Sequence, residues 1–274
     1  MNELALFSGA GGGILGSILL GHRIVCAVEI NPYCREILLR RQEEGHIPPF
    51  PIWDDVRSFD GRQWRGVVDI VSAGFPCQPF SAAGMRIGAN DPRNMWPDTI
   101  RILREVGPRY ALLENVPGLM AHDYFGEILG DLAEAGFDAE WGIVSAAELG
   151  APHIRERLWI LADSNNPNSA CQSKPEPWGC GAAYTGSDGE TRAVANADGT
   201  QQQRERFRDS AFDSRPGYFR WPAESGVCGV AHGVAYRVDR LRALGNGQVP
   251  IVAATAWNRL MARKAGVKVE EVTE

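Results

Sequence analysis

ELALFSGAGGGILGSILLG, Glu3 to Gly21, changes character twice within a short span. Leu4–Leu6 is a short apolar run. It ends in a loop that carries Gly9 and Gly11–Gly13, and the loop opens into ILGSILLG, where apolar residues recur at helical spacing. A strand, a glycine turn and a helix in that order form the first unit of a nucleotide-binding sheet, because glycine lets the backbone turn tightly and approach a ligand closely. No lysine follows the glycines as a phosphate grip, so a P-loop is excluded. Judged alone, the stretch also admits a plain glycine-rich turn. Glu29 favours the ligand. It ends the next β-branched run, IVCAVEI, about twenty residues further on, where a carboxylate accepts hydrogen bonds from a ribose diol. Asp55, in WDDVRSF, stands at the following loop and can accept from an adenine amine. An adenosine-type cofactor without a phosphate clamp is indicated, and S-adenosylmethionine fits.

Outward from this unit the alternation continues. PYCREILLRRQEEG reads as a helix, VVDIVSA as a strand, and DTIRILREVG as a helix with Ile100, Leu103 and Val106 on one side. YALLENV is a strand and FGEILGDLAEAGF a helix, followed by the strand-like runs AEWGIVSA and RERLWILA. Such alternation predicts a parallel sheet covered on both faces, an α/β fold. At Asp163 the composition turns polar and rich in Asn, Gly, Ser and Pro. Apolar content returns in WPAESGVCGVAHGVAYRVDRLRALGNGQVP, and PIVAATAWNRLMARK is an amphipathic helix with Ile251, Ala254, Trp257 and Leu260 together. Three segments result: a catalytic sheet domain over 1–162, a loop-rich excursion over 163–235, and a return over 236–274. Long loops in compact domains are usually functional.

With 44% apolar and 23% charged residues the chain is globular in composition. No run approaches transmembrane length and no basic-then-apolar leader opens it, which predicts a soluble cytoplasmic protein. The net charge of −6 disfavours a nucleic-acid partner, but the charge is segregated. Residues 1–162 carry 14 basic and 21 acidic side chains. Residues 163–245 carry 10 of each, and nine of those ten bases are arginine, so the second part can present a DNA-binding face. Six cysteines without a CxxC pair predict reduced thiols and no metal site.

GFPCQPFSAAG, Gly74 to Gly84, follows the strand VVDIVSA at the sheet edge where such folds bind ligands. Cys77 lies between Pro76 and Pro79. A structural cysteine is normally buried in an apolar element. Here proline fixes the backbone on either side of the thiol and presents it as a nucleophile. Glu114, in ENV at the end of another strand, is a candidate acid or a helix cap. Arg155 and Arg157 stand two apart in HIRERLW, so in a strand they share a face, either to bind a carboxylate, phosphate or base edge or as a solvated charged surface.

In this order LFSGAGGG, Glu29, Asp55–Val56, PCQPFS, ENV, RxR and GNGQVP resemble the motif set of the DNA cytosine-5 methyltransferases, of bacterial or phage type. The resemblance covers nearly all of residues 4–162 and 236–262. It implies a Rossmann-like sheet that binds S-adenosylmethionine, with a small target-recognition region inserted where the polar excursion falls. It implies that Cys77 attacks C6 of a cytosine flipped out of duplex DNA, that Glu114 hydrogen-bonds or protonates N3, that Arg157 steadies the cytosine O2 and Glu114, and that Arg155 supports the flipped nucleotide's backbone. Phe7, Gly9, Gly11, Glu29, Ile30, Asp55, Val56, Pro76 and Asn246 would hold the cofactor. The enzyme would act as a monomer on double-stranded DNA, in the cytoplasm of a bacterium or a phage-infected host. Two places depart from the family's pattern: His153 replaces a usual Gln, and Gly247 and Gln248 stand where a small and a β-branched residue are usual. Asn246 is kept, which preserves the expectation of S-adenosylmethionine. The recognition region is short, which suggests a target of four or five base pairs. Within it Arg204, Arg206 and Arg208 alternate along QQQRERFRD and would read bases or phosphates from one face. Two rivals remain: an RNA cytosine-5 methyltransferase, against which Ser81 after PCQPF counts, and a silent DNA-binding member, against which the presence of Cys77 and Glu114 counts.

Overall fold

Strand β1 (Asn2–Leu6) lies third in a seven-stranded sheet ordered β3-β2-β1-β4-β5-β7-β6 among the described residues. The structure is a computed structural model that describes residues 1–76, 94–165 and 236–266. The chain first moves to one side: α1 (Gly12–Leu19), β2 (Arg23–Val28), α2 (Pro32–Glu43) and β3 (Ile52–Trp53). It then returns past β1 to build the other side with β4 (Ile70–Ala73), α3 (Trp96–Val106), β5 (Tyr110–Asn115), α4 (Tyr124–Glu134), β6 (Phe137–Val144) and β7 (Arg157–Ser164). The direction of travel reverses between β1 and β4. Ligands of open α/β sheets bind in the crevice beyond the carboxyl ends of the strands at such a reversal.

The expectation of an all-parallel sheet requires correction. β1 to β5 are mutually parallel, but β7 runs antiparallel to β5 and to β6. Apolar runs encode burial, not direction. The reversal has a consequence for the site: the first residue of β7 comes to the same edge of the sheet as the last residues of β5.

Alternation of side chains along the strands sorts the core. Leu4, Leu6, Ala111, Leu113, Leu158 and Ile160 face α3 and α4, and bury Trp96, Leu103, Ile128 and Leu132. Tyr110, Leu112, Trp159 and Leu161 face the other way, onto the last helix, α6 (Pro250–Lys264), through Val252, Ala253, Ala256, Trp257 and Leu260. Full burial of one such large side chain stabilises by about 1.5–3 kcal/mol. Helix starts are marked in the sequence: Asn31 caps α2 by accepting from the Tyr33 amide at 2.9 Å, and Pro32, Pro97 and Pro250 occupy first turns. On the α1 side, fully buried Glu3 accepts from Ser17 Oγ at 2.7 Å and Ser72 Oγ at 2.5 Å and pairs with His22 Nδ1 at 2.8 Å, which ties α1, β1 and β4 together. A further helix, α5 (Arg237–Asn246), precedes α6.

No helix among the described residues is long and apolar enough to cross a membrane. Of the excursion expected over 163–235, residues 163 and 164 belong to β7, and residues 166–235, with Arg204, Arg206 and Arg208, lie outside the described residues, as does Cys77.

Candidate active site

Five loops at the carboxyl edge enclose a cavity of about 630 Å³. β1 gives it Phe7 and Gly9; β2 gives Glu29 and Ile30; the loop after β3 gives Asp55 and Val56; β4 gives Gly74, Phe75 and Pro76; β5 gives Glu114, Asn115 and Val116. Arg157 enters from β7, and Arg242, Ala243, Gly245 and Asn246 close it from α5. Phe7 holds a left-handed backbone, φ +53°, which is uncommon for a bulky residue and tends to be maintained at functional sites.

Glu29 organises one end. Its Oε2 accepts from the Gly9 amide at 2.7 Å and its Oε1 from the Asn31 amide at 2.7 Å. The carboxylate thereby ties the glycine loop to the start of α2, and each oxygen retains a lone pair for a hydroxyl donor. Asp55 is held by Arg57, which donates Nε and Nη2 to the two carboxylate oxygens; that pairing holds the Asp55 carboxyl below its usual range.

Glu114 organises the other end. It is 9% exposed at the end of β5. In the antiparallel register Glu114 lies opposite Trp159, so Arg157 is its diagonal neighbour on the same face. Arg157 Nε donates to Glu114 Oε1 at 2.8 Å. Gln248 Nε2 approaches Oε2 at 3.5 Å. Burial pushes the Glu114 pKa up; Arg157, the Gln248 amide and Arg155 oppose this and only partly offset it. A buried carboxyl with a raised pKa, facing a cavity, is a candidate proton donor.

Of the residues predicted from sequence, Phe7, Gly9, Glu29, Ile30, Asp55, Val56, Pro76, Glu114, Arg157 and Asn246 line this one cavity. Gly11 does not line it. Gly11 caps α1 at φ +92°, where an added Cβ would sit 2.9 Å from Leu38, so its glycine serves the turn. The shared strand face expected for Arg155 and Arg157 is corrected: β7 begins at Arg157, and Arg155 precedes it at φ +36°. Arg155 instead donates Nη2 to the carbonyls of Gly245, at 2.9 Å, and Gly247, pinning the turn between α5 and α6.

Sequence reasoning missed Asn31, Arg242 and Cys34 on the cavity wall, which carry no motif. Cys34 brings a second thiol to the site, but burial, Glu29 and Asp239 push it up to about 11, and burial pushes Cys26 up to about 12. Both are neutral thiols at physiological pH and poor nucleophiles. Pro76 is the last described residue before Cys77, and it lines the cavity.

The reversal of strand order, the acidic residue after β2 and the cavity beneath the glycine loop define an α/β, Rossmann-like fold with a ligand site at its carboxyl edge. The C-5 cytosine-specific DNA methylase profile matches residues 1–214, and the chain belongs to that family. It is 34% identical over 167 residues to the type II methyltransferase M.NgoMIV of Neisseria gonorrhoeae, a match covering 60% of this chain and 52% of the relative. It is 34% identical over 170 residues to M.Eco47II of Escherichia coli, covering 60% and 39%. The chain thus matches about half or less of the length of these relatives. The Dnmt2 methyltransferase of S. pombe superposes with a TM-score of 0.49 at 27% identity, covering 61% of this chain and 51% of that one.

Proposed function

We propose that this protein is a DNA cytosine-5 methyltransferase that works through a covalent adduct on Cys77, with S-adenosylmethionine as methyl donor and a short duplex DNA site as substrate. The observation that carries the proposal is the composition of one cavity: a ribose-type acceptor, Glu29, at one end, and a buried, arginine-paired acid, Glu114, at the other, with Pro76 leading directly to Cys77.

The residues suit the cofactor. Glu29 has acceptor capacity left for a ribose diol, Phe7 and Ile30 offer apolar surface to an adenine, and the Gly9 position is open. When bound, S-adenosylmethionine supplies an electrophilic methyl group on sulfonium. The chain's own residues prepare the base. Cytosine C6 is a poor electrophile, so it requires a soft, strong nucleophile and an acid at the same time. The Cys77 thiolate forms a bond to C6, the C5–C6 π pair moves to C4–C5, and the C4–N3 π pair moves to N3, which takes the proton of Glu114. Arg157 takes up the charge left on Glu114. The ring is then an enamine whose C5 is nucleophilic and accepts the methyl group. As C5 takes the methyl group, the C4–N3 double bond re-forms and N3 returns its proton to Glu114; loss of the C5 proton to a base and expulsion of the thiolate from C6 then restore the C5–C6 double bond and the enzyme. These ring atoms are inaccessible in a stacked duplex, so the cytosine must be flipped out.

Residues 163–235 are proposed to read the target, with Arg204, Arg206 and Arg208 contacting base edges or phosphates, while 1–162 and 236–274 form the catalytic unit. The test is transfer of labelled methyl from S-adenosylmethionine to duplex DNA and to transfer RNA, followed by bisulfite sequencing of DNA from expressing cells. The expected result is label in DNA, confined to the cytosine of one short sequence. Label in RNA alone, or in neither, would overturn the proposal.

A further inference from the structure

Gln248, where the sequence departs from the family's pattern, reaches into the site. It stands in the turn between α5 and α6; its backbone lies against Gly12, and its side chain lies between Gly13 of the glycine loop and Gly74 after β4. A Cβ added at Gly13 would collide with Gln248 Oε1, one at Gly12 would collide with the Gln248 carbonyl, and one at Gly74 would lie 2.9 Å from both Gln248 Nε2 and Glu114 Oε2. The amide therefore occupies space that the glycine loop and the end of β4 leave free. Its Oε1 faces the loop and its Nε2 faces the acid. The turn is fixed from outside by Arg155 on the Gly245 and Gly247 carbonyls. Gly247 itself leaves no room for a side chain, since its Cβ would lie 2.8 Å from the Ala243 carbonyl.

We propose that Gln248 is a positioning residue for Glu114: its side-chain amide donates to Oε2, holds the carboxyl against the glycine loop and favours the ionised form. The inference rests on the reading of Glu114 as the acid. Arg157 binds Oε1 at 2.8 Å and Gln248 approaches Oε2 at 3.5 Å, so the two donors grip the carboxyl from opposite sides. The second distance is long, as catalytic hydrogen bonds often are before substrate arrives. A β-branched aliphatic residue at this position has no N–H to give.

The charged groups acting on Glu114 among the described residues are Arg157 of β7 and Arg155 just before it; the glycine loop and β4 present Gly12, Gly13 and Gly74, and the turn presents Gln248. A donor to the carboxylate stabilises the charged form and lowers the pKa. Its removal leaves burial less opposed, so Glu114 holds its proton to higher pH. Because the acid acts protonated, the alkaline limb of methyl transfer moves up with it.

The test follows the Glu114 carboxyl by carbon NMR in protein labelled at glutamate carboxyls, with the resonance assigned by its loss in Glu114→Gln. In Gln248→Met, which keeps length and removes the donor, the midpoint is expected at higher pH than in the native protein. The alkaline limb of methyl transfer should shift in the same direction. An unchanged midpoint in the folded variant would overturn the proposal. A measurement on the native protein needs no variant to fold: the Gln248 side-chain amide resonances should titrate with the Glu114 midpoint, and amide signals blind to that titration would equally overturn it. If the carboxyl and amide behave as expected but the native protein methylates no DNA, the contact stands and the reading of Glu114 as a methyltransferase acid falls.

Discussion

At Glu29 both carboxylate oxygens already have a backbone partner, the amides of Gly9 and Asn31. The residue therefore shapes the site as well as offering acceptors to a ligand. Glu29→Ala removes the proposed ribose acceptor and leaves two amides without their carboxylate. Affinity for S-adenosylmethionine should fall by about 1–3 kcal/mol, on the order of 5- to 150-fold in Kd, while DNA affinity without cofactor changes little. Calorimetric titration measures this directly, and an unchanged Kd would remove Glu29 from the cofactor site. Glu29 was legible in sequence because its position after the second strand, about twenty residues beyond the glycines, carries a stereochemical meaning. The Gln248 contact was not. It joins residues 134 apart in the chain, and nothing local marks it beyond a departure from pattern.

At the scale of elements, the turn between α5 and α6 is held from the segment before β7. Arg155 contributes a charged donor to two of its carbonyls, and charged hydrogen bonds of this kind contribute about 1.5–3 kcal/mol. Arg155→Ala should lower stability in denaturant by about that amount and weaken cofactor binding, since Asn246 lines the cavity from the same turn. Arg155→Lys keeps the charge but loses the planar fork and should recover only part of both. Wild-type stability and Kd in the alanine variant would contradict this role for Arg155. The strands β1, β2, β4 and β5 were visible in sequence because each is a short apolar run bounded by glycine, proline or a charge. β3 is two residues long and carries no period. The direction of β7 was invisible because burial alternates identically in either direction, yet that direction brings Arg157 to Glu114. α5 escaped notice because Val238, Leu241 and Leu244 are exposed and trace no buried face.

At the scale of the whole molecule, the acid excess of residues 1–162 and the arginine-rich balance of 163–245 suit the division of labour proposed above, with chemistry in the sheet domain and DNA contact beyond it. The cavity holds an acid and a cofactor-type acceptor, and its own thiol, Cys34, is pushed up to about 11 by burial and two carboxylates. The central claim is that the nucleophile is Cys77. The most direct measurement uses a duplex with 5-fluorocytosine at the methylated position, incubated with the protein and S-adenosylmethionine, then denatured and mapped by peptide mass. Fluorine at C5 cannot leave as a proton does, so the reaction halts before the thiolate is expelled. The account predicts a DNA–protein complex that survives denaturation, depends on the cofactor, carries the base on Cys77 and is absent in Cys77→Ser. No adduct from a protein that methylates the unmodified duplex, or an adduct on Cys34, would contradict it.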